Sequence, residues 1–279
     1  MSKADAIDQT DPKMWSQGWL ALSDFGSLEP VGSVVAGVTT RLAGDSADLF
    51  AALNFATHVG DDEHLVIQHR KWLQQHIGAA DIQWLEQVHS NTVFYCDASS
   101  SSSLPKADAM WTDQPKVALA ILSADCVPVL LWSGHNLCVG AAHAGWRGLC
   151  NGVIETLVHQ MPVPSDQLNA WIGPCIGVQH YEVGKDVWQE IEQRNNSRPI
   201  TGALAGNIPN VLPHVSDADK RMVNLAGIAE QCLNRVGVAS VVQSKICNFE
   251  DTRFYSYRRS QMKNANATTG RMASVIMLT

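Results

Sequence analysis

The sequence has no CxxC pair among its seven cysteines, which stand at positions 96, 126, 138, 150, 175, 232 and 247. An odd number without paired spacing argues against a disulfide framework or a zinc ribbon, so most of these thiols read as small buried hydrophobes in a reducing compartment. Basic residues are scattered rather than clustered and the net charge is -7, which leaves no electrostatic footprint for nucleic acid or an anionic membrane. No apolar run approaches the roughly 18 residues of a membrane span. The amino terminus, MSKADAIDQTDPKMWSQGW, lacks the continuous apolar segment of a secretory signal. The expected location is therefore the cytoplasm. There is no GxGxxG after a strand, no Walker loop and no internal repeat. What is present is a globular composition, 46% hydrophobic over 279 residues, able to bury a sizeable core and suited to small-molecule partners.

Along the chain, residues 1–30 read as a partly ordered extension, with Trp15 and Trp19 to dock part of it, and residues 31–279 as one domain. VGSVVAGVTTRL reads as a strand, and GDDEHLVIQHRKWLQQHIG as a helix started by Asp61 or Asp62 and stopped by Gly78. IQWLEQVHSNTVFYC is strand-like around a polar break at His89-Ser90-Asn91, and a Ser-rich loop follows. KVALAILSADCVPVLLW and LCVGAAHA read as successive strands about a short turn. In the next segment, Leu149, Val153, Leu157 and Met161 recur four apart, as one helix requires. A strand at LNAWI, a helix at KDVWQEIEQR, a Gly/Pro-rich irregular stretch, a helix at about 218–236 stopped by Gly237, and strands SVVQSKICN and RMASVIML complete the reading. Strands interrupted by helices without a regular βαβ rhythm indicate a mixed-sheet α/β or α+β domain.

Within LSADCVPVLL an acid and a thiol, Asp125 and Cys126, interrupt an apolar run. If a two-residue turn is centred on Gly134-His135, antiparallel pairing sets Cys126 directly opposite His143, with Cβ atoms about 5 Å apart. Pro128 cannot donate to the ladder and is a place for a bulge. A catalytic zinc takes three protein ligands and an open position, and His89 is the best third candidate. The plain alternative is that Cys126 fills the core, His143 is a satisfied core histidine and His89 lies on the surface. HAGWRG ends a strand and opens a helix, where helix amides and Arg147 would suit a phosphate, unless Arg147 merely pairs with a surface carboxylate. Asp125, on the opposite face, would pair with an arginine or orient a ligand histidine. Cys175, in a Gly-Pro turn, reads as packing only. His135 reads as solvated, and His64, His69, His76 and His159, on helices, as exposed.

Taken together, GVTTRL, LNFATHVGDD, EQVHSNTV, ADAMWTDQPKVALAILSADCVPVLL, AAHAGWRG, GPCIGVQHYEVG, VNLAGIAEQCLNRVGV and RFYSYRR…TGRMASVIML resemble the YfiH-like, or laccase-domain, family over residues 31–279. The resemblance implies an α+β fold, a single domain with mixed β-sheets sandwiched between helices, related to toxins that use a Cys-His pair. It also implies a metal site of His89, Cys126 and His143, holding zinc with copper as an alternative, the three acting as the catalytic group. The sequence departs from the family after Gly177, where Val178, Gln179 and His180 replace the usual Pro and Cys pair, and in the longer insert SQMKNANAT.

The same resemblance implies phosphorolysis of adenosine, inosine, guanosine and methylthioadenosine, with adenosine deamination, so the expected partners are a purine nucleoside and phosphate. Secondary substrate-binding candidates are Arg147, Arg41, Asn54, His58, Tyr257 and Arg258, each of which has a structural role in capping or buried hydrogen bonding as its alternative. The rival readings are a hydrolase or amidase with Cys126 as nucleophile and His143 as base, copper-dependent phenol oxidation as an adventitious activity, and a cell-wall precursor editing factor. The expected oligomeric state is a monomer or weak homodimer.

Overall fold

The computed structural model describes residues 17–25, 33–97, 104–135, 137–197, 210–264 and 267–279. Trp15, most of the Ser-rich loop and much of the Gly/Pro-rich stretch lie outside them. Two large mixed sheets dominate. The first has the order β1-β2-β14-β6-β3, formed by Trp19–Ala21, Val34–Thr39, Met272–Leu278, Val117–Ser123 and Asp81–Gln83. The second has the order β13-β9-β7-β8-β5-β4, formed by Ser240–Gln243, Leu168–Ile172, Val127–Ser133, Val139–Ala144, Ala109–Thr112 and Val93–Tyr95. A small antiparallel sheet joins β10 (Glu182–Val183), β12 (Arg221–Val223) and β11 (Val211–Pro213).

Period-two alternation explains the layering. Leu119 and Ile121 of β6 pack with Leu130 and Trp132 of β7 and with Val139 and Ala141 of β8, so the two sheets meet face to face. Ala118, Ala120 and Leu122 turn the other way, onto Leu73 and Ile77 of α1 (Glu63–Ile77). Val127, Val129 and Leu131 face α2 (Trp146–Asn151), α3 (Val153–Gln160) and α5 (Leu225–Arg235) through Leu149, Leu157 and Ile228. The result is the expected α+β domain, with two sheets between helical layers. α4 (Lys185–Ser197) and α6 (Tyr257–Lys263) complete the described helices.

Local signals act as read at several points. Asp62 caps α1 through the amides of His64 and Leu65, and Gly78 ends it in the left-handed conformation at φ 67. Elsewhere the structure corrects the reading. LSADCVPVLL is two strands, because the chain leaves one sheet at Ser123 and enters the other at Val127, with Asp125 at φ 97 in the crossing. Pro128, not Cys126, stands opposite His143, a register displaced by two residues. Ser133 Oγ accepts the amides of Leu137 and Cys138, which closes a longer loop than the two-residue turn. The helix through Leu149 and Met161 is broken at Gly152, φ 83. The start of the 218–236 segment is β12, and α5 begins only after Asn224, whose side chain caps Gly227. No helix among the described residues is long and apolar enough to cross a membrane.

Residues 17–25 are built into the domain. β1 pairs antiparallel with β2, Leu22 is buried, and the Phe25 ring meets Trp171 at 5.2 Å. Gly37 makes this possible, since a Cβ there would run into the Leu20 carbonyl and the Trp19 ring. Gly37→Val is expected to release this segment, expose it to limited proteolysis and cost about 2 kcal/mol, on the scale of one large buried side chain. An unchanged digestion pattern would refute the pairing.

Candidate functional site

Where the chain crosses between the sheets, it meets the end of β8 and the loop before β4. Cys126 Sγ lies 3.9 Å from His89 Nε2, and the donor atoms of Cys126, His89 and His143 all lie within 4.8 Å of one another. The His89 and His143 rings are edge to face with centroids 4.8 Å apart. The two-residue register displacement preserves the parity of the strand, so the thiol and imidazole still meet, now diagonally. Gly145 leaves the necessary room, because a Cβ would stand 2.9 Å from His89 Cδ2 and 3.0 Å from the Cys126 sulfur.

One buried carboxylate organises the group. Asp108, just before β5, accepts His143 Nδ1 at 2.9 Å and the backbone amides of Val88, His89 and Ser90 at 3.1, 2.9 and 2.6 Å. The Ser90 hydroxyl adds a further bond at 2.9 Å. These amides point inward because His89 adopts φ 59. Burial works to raise the Asp108 pKa, yet the bonds from His143 and Ser90 outweigh it and hold the group at about 2. With Nδ1 committed to Asp108, His143 presents Nε2 to a ligand, the usual carboxylate-histidine arrangement at metals. A thiolate and two imidazoles suit zinc or copper. The donor set and the space at Gly145 therefore fit a metal ion.

In metal-free protein Cys126 and His143 form an ion pair. Burial disfavours charge on either partner, but their mutual attraction prevails, lowering Cys126 to about 6 and raising His143 to about 9. The structural thiols behave oppositely, with burial pushing Cys96 up to about 12 and Cys138 up to about 11.

The other candidates separate by what they touch. Asp125 is buried, and its carboxylate accepts the Arg258 backbone amide at 2.6 Å, so it does not orient a ligand histidine. The Arg258 guanidinium donates to the carbonyls of His180 and Glu182 and lies over Tyr181, bracing that wall. Asn54 is buried and engaged with Ala56, Asp61 and the Arg271 amide. Arg41 donates to the Ala51 carbonyl at 2.6 Å and sits over Tyr255. Arg147 is exposed and lies over Trp146. His58 and Tyr257 are exposed. Burial, then Arg271 and Arg70, lower the pKa of His58, and Tyr257 lies 6.0 Å from the Arg271 guanidinium. His69 is buried between the Asn54 carbonyl and the Asp45 amide rather than exposed.

Two groups escaped the sequence reading. Asp108 stands in ADAMW, one residue before a strand, and Arg271 in TGR. Arg271 is partly buried and its Nη1 donates to the carbonyls of Thr269 and Gly270; burial lowers its pKa, against the opposing pull of the Cys126 and Asp125 charges.

Residues 35–279 match the family described as multi-copper polyphenol oxidoreductase laccase. The chain belongs to this family. Among its laccase-family relatives, a purine nucleoside phosphorylase of Pseudomonas aeruginosa is 38% identical over 242 residues, 86% of this chain and 92% of that one. Purine nucleoside phosphorylase YfiH of Escherichia coli is 34% identical over 88% of this chain and 94% of that one. The crystal structure of Neisseria meningitidis protein NMB0706 superposes with TM-score 0.80 at 33% identity, covering 94% of this chain and 99% of that one. YlmD from Geobacillus stearothermophilus gives TM-score 0.79 at 28% identity, covering 94% and 97%.

Two outcomes follow from the geometry. Asp108→Asn is expected to lower zinc affinity about 10- to 100-fold while the fold is retained, measured by chelator competition; unchanged affinity would remove Asp108 from the site. In metal-free protein, alkylation of Cys126 by iodoacetamide should be half-maximal near pH 6, falling as pH drops and the thiolate is protonated. In His143→Ala the midpoint should rise toward the ordinary thiol value of about 8.5. A wild-type midpoint already at that value would dismiss the ion pair.

Proposed function

We propose that this protein is a zinc-dependent purine nucleoside phosphorylase acting on adenosine, inosine, guanosine and methylthioadenosine, with adenosine deamination at the same centre. The observation that carries this reading is the cluster of the Cys126, His89 and His143 donor atoms, in a chain whose relatives are named purine nucleoside phosphorylases. His89, Cys126 and His143 would hold the zinc, which supplies a fixed positive charge that polarises oxygen ligands. In this reading Arg271, His58 and Arg147 bind and orient the phosphate anion. A phosphate oxygen forms the bond to the ribose anomeric carbon as the glycosidic C–N bond breaks, and the purine leaves with the electron pair and takes up a proton. The protein contributes placement and charge stabilisation. Deamination requires the nucleoside to present the ring carbon bearing the amine to the same centre instead.

A second reading has a specific observation behind it. Cys126, His143 and Asp108 are also the parts of a thiol hydrolase, with a depressed thiol, a base and an orienting carboxylate.

The deciding experiment is phosphate-dependent release of hypoxanthine from inosine by zinc-loaded protein. Cys126→Ala is expected to lower the rate at least about 100-fold, and Arg271→Gln to raise the KM for phosphate about 10-fold, the scale of one charge-assisted hydrogen bond. Release that ignores phosphate, or that Cys126→Ala leaves intact, would sink the phosphorylase reading. Amidase activity that resists chelators but is abolished by iodoacetamide would establish the hydrolase in its place.

A further inference from the structure

The sequence departs from its family after Gly177, and the structure gives that departure a setting. Two tight turns face each other beyond the ends of β9 and β13. In one, the His180 amide donates to the Gly177 carbonyl at 3.0 Å; in the other, the Glu250 amide donates to the Cys247 carbonyl at 3.1 Å. The turns are stitched together. Cys175 and Cys247 form a parallel bridge, and the Gly177 amide donates to Cys247 Sγ at 3.1 Å. His180 Nε2 and Glu250 Oε1 are 2.7 Å apart, and the donor atoms of His180, Cys247 and Glu250 all lie within 4.8 Å of one another.

We propose that His180, Cys247 and Glu250 form a second zinc site, separate from the Cys126 centre. A thiolate, an imidazole and a carboxylate are a three-ligand set that leaves one position for water. Tetrahedral zinc needs its nitrogen and oxygen donors about 3.3 Å apart and sulfur about 3.5 Å from each, so the sulfur, within 4.8 Å of both partners, must settle to that spacing and Glu250 must withdraw by about 0.6 Å from His180. Its side chain is 64% exposed and free to do so. The other two donors are already held. The His180 ring stacks on Phe249 at 4.2 Å and 19°, and the Gly177 N–H is the kind of backbone donor that supports a metal-bound sulfur. Gly177 is itself required, since a Cβ would stand 3.0 Å from that sulfur. A cavity of about 130 Å³, lined in part by Gly177 and Cys247, gives ion and water a route to the thiol. Binding requires the Cys247 sulfur as a thiolate and His180 Nε2 without its proton, so the metal replaces the His180–Glu250 hydrogen bond.

An ion here ties the turn that precedes Tyr181 to the turn that follows β13. Arg258 already grips the carbonyls of His180 and Glu182, and its amide rests on Asp125, the neighbour of Cys126. The second zinc therefore stiffens the wall of the first site without entering it.

The test uses the full chain carrying His89→Ala and Cys126→Ala, so that the first centre cannot contribute. Loaded with zinc and freed of excess, this protein is expected to retain one equivalent of metal, and adding His180→Ala should lower that affinity at least about 10-fold. With cobalt in place of zinc, a thiolate-to-cobalt charge-transfer band should appear and vanish in Cys247→Ser. Should Cys247→Ser fail to fold, the partly exposed His180→Ala variant decides alone. Retention of no metal by the double variant, or retention that His180→Ala leaves unchanged, would overturn the proposal.

Discussion

A single buried carboxylate holds the candidate site together. Asp108 sits one step beyond the β5–β8 ladder, where its own carbonyl accepts the His143 amide and its side chain accepts the His143 ring. The same side chain gathers three consecutive amides from the loop that carries His89. A carboxylate this deeply buried stays ionised only because so many donors converge on it, and leaving them unpaired would cost several kcal/mol. Loop conformation, imidazole orientation and negative charge beneath the trio are thus one interaction. Removing it disturbs all three together.

Much of the architecture was legible because it rests on local physics. The caps of α1 at Asp62 and Gly78, and the alternating or continuous apolar runs of β2, β6, β9 and β14, need no tertiary information. Each failure has its own tertiary cause. Val117 to Ser133 is apolar on both sides of the acid and thiol, and nothing in that run marks the passage from one sheet to the other. The passage requires Asp125 at positive φ, a conformation usually signalled by glycine. The hairpin register depended on Ser133 Oγ holding Leu137 and Cys138, a side-chain bond invisible to turn statistics. The helix over Leu149 to Met161 kept its four-residue spacing through a break at Gly152 because the same sheet face lies beneath both halves.

The site was legible in its three donors and illegible in their supports. Cys126 immediately precedes β7, and His143 lies on the adjoining β8 of the same sheet, so the thiol and imidazole reach the same end of that ladder. His89 was visible as a polar break. Asp108 stood unremarked at the end of a Ser-rich loop because it acquires its role from His143 and the His89 loop, both distant in sequence. Asn54, in contrast, carries the polar character expected of a ligand contact while its bonds serve the local backbone and the Asp61 carboxylate.

The position of β14 has a consequence for biosynthesis. It lies between β2 and β6, pairing with both through nearly its whole length. Until residues 272–278 leave the ribosome, two apolar strands separated by some 80 residues of chain have no partner between them, and each presents an open edge. Arg271, immediately before β14, is missing over the same interval. The nascent chain must therefore be shielded from edge-to-edge association through most of its synthesis, and the arginine proposed to bind phosphate arrives with the strand that closes the sheet.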